Sequence, residues 1–159
     1  MERSLMERSL MERRVVITGC GVVTPAGCDL SSFWQTLMRG ECLLRPLSSF
    51  TVADLPPLVG AEVTLPPEDD DPTERASERY RSRCLGLTLA AVRRAIAHAA
   101  LPSEPAFRER TGVVIGTTLG EERQVAESSD RWARAGEDCL DGAFLRRSDN
   151  HRLASACAA

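Results

Sequence analysis

Apolar residues fall along this chain in two kinds of pattern. Short unbroken runs form the first kind: Val15-Val16-Ile17-Thr18, ended by Gly19, and Thr111-Gly112-Val113-Val114-Ile115-Gly116. Continuous β-branched runs of this length predict strands buried on both faces of a sheet. The second kind is helical. Leu30, Phe33, Trp34, Leu37 and Met38 repeat at i, i+3, i+4, i+7 and i+8, so one apolar face runs from an Asp29 N-cap to about Arg39, with Gly40 as the stop. A charged start (Glu74, Arg75, Glu78, Arg79) passes into Leu85, Leu89, Val92, Ile96 and Ala100, predicting a helix from about Thr73 or Ser77 to Ala100, closed by Leu101-Pro102. A further helix is expected over roughly Glu121–Ala135, and the stretch after it is poorly patterned. Prolines keep residues 41–74 irregular, apart from a short strand around Leu58–Val63. Strands alternating with long helices argue for an α/β fold class.

Composition narrows the function classes. A hydrophobic fraction of 43% in 159 residues supports a packed core. A net charge of −3 and a pI near 5.5 give no electrostatic reason to expect nucleic acid. All 20 basic residues are Arg, a bias of genome composition rather than of chemistry. No run approaches the roughly 20 apolar residues of a membrane span, and the charged N-terminus is not a secretory signal, so a cytoplasmic location is expected. The six cysteines (Cys20, Cys28, Cys42, Cys84, Cys139, Cys157) contain no C-x-x-C pair, which points to free thiols, mostly buried as small hydrophobes, and to no metal site. The acidic run Glu68–Asp71 reads as solvated loop. Residues 1–12 repeat Met-Glu-Arg and are expected to be a disordered leader, with the folded domain spanning 13–159.

Few residues carry candidate chemistry. Gly19-Cys20-Gly21 fails as a dinucleotide fingerprint because Thr24 stands where the third glycine belongs, and no phosphate-binding loop or other cofactor motif is present. His98 reads as a C-terminal-turn histidine and His151 as a surface-helix residue. Cys157 is flanked by Ser155, Ala156, Ala158 and Ala159, small residues that permit close approach. A cysteine at a helix start gains thiolate character, but only two residues follow this one. As a nucleophile it would represent only part of an active site.

Four segments together resemble the elongating β-ketoacyl-acyl-carrier-protein synthases. Arg14–Gly27 is similar to that family's opening strand and turn, Phe33–Glu41 to its first helix, Arg110–Gly120 to a following strand and glycine turn, and Ser155–Ala159 to the segment presenting the catalytic cysteine. The resemblance implies the N-terminal part of a thiolase-like, layered αβαβα fold, incomplete here and truncated just after the nucleophile. It also implies a decarboxylative Claisen condensation with Cys157 as the acyl-accepting nucleophile, acyl carrier protein as partner, a dimer and no cofactor. Two histidines in histidine-glycine motifs of the family's C-terminal half complete that chemistry. His98 and His151 are not followed by glycine and match neither. The Gly120–Cys157 interval is also short, lacking after Leu153 the helix and glycine-proline turn that lead to the family's cysteine strand. The expected protein is therefore a ketosynthase portion completed by a second chain. The alternatives are a non-catalytic partner subunit of the chain-length-factor type and an inactive fragment.

Overall fold

The computed structural model describes residues 14–49, 56–66, 82–118, 120, 122–136 and 151–158. The leader, the acidic run, Cys139 and Ala159 lie outside these. The elements in chain order are α1 (Leu30–Arg39), β1 (Arg45–Pro46), β2 (Val59–Gly60), α2 (Arg83–Ala99), α3 (Pro105–Arg108), α4 (Glu122–Ala135) and α5 (His151–Ala158).

Local chemistry fixes the helix ends. Asp29 Oδ1 accepts the Ser32 amide at 2.9 Å, capping α1 as expected. Gly40 ends it at φ 60°, a left-handed conformation that glycine enters without steric cost, and its N–H returns to the Leu37 carbonyl at 3.0 Å. Ser82 is extended, and its Oγ accepts the Leu85 amide at 3.1 Å, so α2 begins at Arg83; the expected starts at Thr73 and Ser77 lie outside the described residues. Ala100 closes α2 at φ 48°, where a β-carbon is strained. α4 matches its expected bounds to within a residue. The helical turn α3 has no counterpart in the sequence pattern; α5 bears out the surface helix expected at His151, is short, and is anchored by the buried Leu153.

The core is small. Leu85 and Leu89 of α2 are buried with Leu153 of α5, and Cys84, Ile115, Ala156 and Cys157 pack around them. β1 and β2 pair antiparallel, Arg45 opposite Gly60 and Pro46 opposite Val59, and the Leu47 amide extends the ladder to the Leu58 carbonyl at 2.9 Å. This agrees with the strand expected near Leu58–Val63. The two long apolar runs differ from expectation. Residues 15–18 and 111–116 make no ladder among the described residues, and Val15, Ile17 and Val114 are 97%, 87% and 94% exposed. Their composition is that of buried strands, but a strand needs neighbours on both sides, and the described residues do not supply them.

Candidate active-site segment

Cys157 is the penultimate residue of α5, one turn beyond Leu153 and on the same face. It rests half-buried beside the Leu85–Leu89–Leu153 cluster, and burial pushes its thiol pKa up. Ser155–Ala158 lie within a helix, not on a strand-to-helix turn. The cysteine that does occupy a helix N-terminal turn is Cys84, two positions after the Ser82 cap. The thiols are less buried than expected: Cys20 and Cys42 are exposed, Cys28, Cys84 and Cys157 intermediate.

Neither histidine is brought to Cys157. His151 opens α5 and is exposed; six helical residues separate it from Cys157 by about 9 Å along the axis and about 120° around it. His98 lies in the last turn of α2, nine residues beyond Leu89, or about 13 Å further along that helix. It is not idle. Its Nδ1 accepts the Cys20 amide N–H at 2.9 Å, a bond across 78 positions that no local pattern announces. The glycine turn after the second apolar run forms as expected, with the Gly120 amide donating to Thr117 Oγ1 at 3.0 Å.

Three other features bear on chemistry. The Arg152 terminal nitrogens are buried and have no hydrogen-bond partner among the described residues. Glu62 takes hydrogen bonds at 2.8 Å from the Ser48 amide, 2.8 Å from its hydroxyl and 2.9 Å from the Ser49 amide; the Ser49 side chain foremost, then the Ser48 amide and hydroxyl, hold its carboxyl down to about 2. Among the described residues no group of three or more His, Cys, Asp or Glu side chains could hold a metal ion, and no helix is long and apolar enough to cross a membrane.

Residues 12–148 match the N-terminal domain of beta-ketoacyl synthase, and the chain belongs to that family. It is 32% identical over 126 residues to the tetracenomycin polyketide synthase ketoacyl synthase alpha subunit of Streptomyces glaucescens, covering 75% of this chain and 29% of that one. With 3-oxoacyl-[acyl-carrier-protein] synthase 2 of Coxiella burnetii it shares 30% identity over 135 residues, 83% of this chain and 32% of the relative. The solved ishigamide ketosynthase/chain length factor superposes with a TM-score of 0.66 at 25% identity, over 92% of this chain and 36% of that chain. The fold is therefore the N-terminal part of a thiolase-like ketosynthase, and the chain spans roughly a third of the length of these proteins. The matched domain ends before α5, so Cys157 lies outside it.

Proposed function

We propose that this chain serves as the N-terminal portion of a β-ketoacyl synthase of fatty acid or polyketide biosynthesis, acting in the cytoplasm within an assembly that supplies the remainder. The family match over residues 12–148 carries this reading. The reaction is a decarboxylative condensation: a cysteine thiolate takes an acyl group from a carrier-protein thioester. The enolate formed by loss of carbon dioxide from a malonyl thioester then attacks that acyl group. An oxyanion hole and two histidines must serve the charged intermediates. Neither His98 nor His151 is placed for that, so the histidines belong to the remainder of the synthase. One observation supports such an assembly: the apolar segments 15–18 and 113–115 form no ladder among the described residues.

A second reading, a non-catalytic partner of the chain-length-factor type, is favoured by one observation: Cys157 sits in an environment that holds it protonated. The experiment co-produces this chain with one carrying the two histidine-glycine motifs and follows malonyl-carrier-protein decarboxylation and condensation, with Cys157→Ala alongside. Activity abolished by the substitution makes Cys157 the nucleophile. Activity in a stable complex that survives it assigns the chain a partner role. Failure to associate with any ketosynthase half overturns both readings. The isolated chain is expected to show no decarboxylation above background.

A further inference from the structure

The glycine-rich turn after the first extended segment lies on α2 at a distance that only bare backbone allows. A β-carbon on Gly19 would fall 2.5 Å from the Ala99 amide nitrogen, and one on Gly21 2.1 Å from the Ala91 carbonyl oxygen. Between them, the Cys20 amide donates to His98 Nδ1 at 2.9 Å. An imidazole accepts at Nδ1 only when neutral, with its proton on Nε2. Taking up a second proton turns Nδ1 into a donor facing a donor, and the bond is lost. His98 is exposed, so solvent protons reach it directly. Among the described residues the neighbouring ionisable groups are few. On α2, Arg94 precedes His98 by one turn, with its Cβ against the Gly21 position; from the loop side comes the exposed Cys20 thiol; and Asp29, heading α1, interacts with Arg94.

We propose that His98 is a pH-sensitive latch: neutral, it pins the glycine turn to α2 and so fixes the apolar segment 15–18 in place; protonated, it releases that segment. The latch sets how the segment is presented to whatever strand it pairs with. It rests on the contact itself and holds whether or not the chain proves to be a condensing enzyme.

Hydrogen exchange of the Cys20 amide, read by mass spectrometry on the full purified chain and corrected for intrinsic rates, tests it. Protection is expected to fall about tenfold between about pH 8 and about pH 5, the span over which histidines titrate and the size of one net hydrogen bond. His98→Asn, whose Oδ1 can accept in place of Nδ1 and does not titrate, is expected to keep protection at both pH values. Protection that does not fall in the native chain, or that falls equally in His98→Asn, overturns the latch. Should the variant fail to fold, nitrogen-15 solid-state NMR of the native chain decides independently of its state of association. At pH 8 the proposal requires a protonated Nε2 and a bare Nδ1, and an Nδ1–H tautomer refutes it.

Discussion

Cys157 shows how far one residue's meaning depends on the element that holds it. Small neighbours on both sides are compatible with a nucleophile turn and equally with a helix packed tightly on another helix, and periodicity over five residues cannot separate them. In α5 the thiol meets a leucine cluster, and that burial favours the protonated form. In the isolated chain, Cys157 is therefore expected to alkylate more slowly than the exposed Cys20 and Cys42, with an inflection above the usual thiol value of about 8.5. Site-resolved iodoacetamide labelling against pH measures this, and a lower inflection would return Cys157 to activated status. Glu62 supplies a prediction of the opposite sign. Its carboxyl is lowered from the ordinary range to about 2 by the hydrogen bonds from Ser48 and Ser49. A depressed acid stabilises the fold above its unfolded value and loses that contribution as pH falls through the folded one. The clamp on the β1–β2 hairpin should thus persist through pH 4 and weaken only towards about 2. The Ser48 and Ser49 amide shifts report it directly, and a midpoint near 4.5 would show that the clamp does not form.

Helices were the legible elements because their causes are local. Asp29, the stripe to Met38 and Gly40 specify α1 within a dozen residues, and the structure follows them cap for cap. α2 was legible in its body, while its described start is fixed by the Ser82 hydroxyl, a cap that the apolar periodicity does not mark. The strand runs were legible as composition only, since a ladder is a non-local property and their partners are not among the described residues. The His98–Cys20 bond was invisible for the same reason: it links positions 78 apart. Glycines on α2 and against it separate two effects that sequence alone merges. Gly86 lies within α2 with nothing within 4 Å of an added β-carbon, so Gly86→Ala should stabilise by about 0.5–1 kcal/mol through reduced unfolded-state freedom. Gly21→Ala should destabilise by about 1–3 kcal/mol, because the new methyl meets backbone at Ala91 and Ala95 that cannot move aside. Thermal melts of the two variants are expected to shift in opposite directions, and a common sign would mean that residues 14–23 do not rest on α2 as described.

At the scale of the whole molecule, the described residues bury little apolar area for the number of apolar side chains they carry. The fully buried large side chains are Leu85 and Leu153, while Val15, Val16 and Ile17 on one extended segment, Val114 on another, and Trp34, Leu37 and Met38 on one helix are exposed. Extended β-branched segments with free N–H and C=O groups are templates for pairing with another chain. An apolar helix face of this kind normally marks an interface. The chain also spans roughly a third of its relatives' length, and in the ishigamide structure the matched region is 36% of that chain. These observations converge on one expectation: alone, the chain associates, binds a hydrophobic dye and melts without a sharp transition. With a chain that pairs with segments 15–18 and 113–115, dye binding falls and a single cooperative melt appears. Sizing chromatography, dye fluorescence and calorimetry, each run with and without the partner, measure the change. Lys at positions 16 and 114, on two different segments, gives the internal control. Charges there should reduce self-association of the isolated chain and at the same time weaken the complex, because both use the same unpaired surfaces. A monodisperse monomer with a sharp two-state melt in the absence of any partner would show that the segments are satisfied within the chain, and that the need for a completing subunit is mistaken.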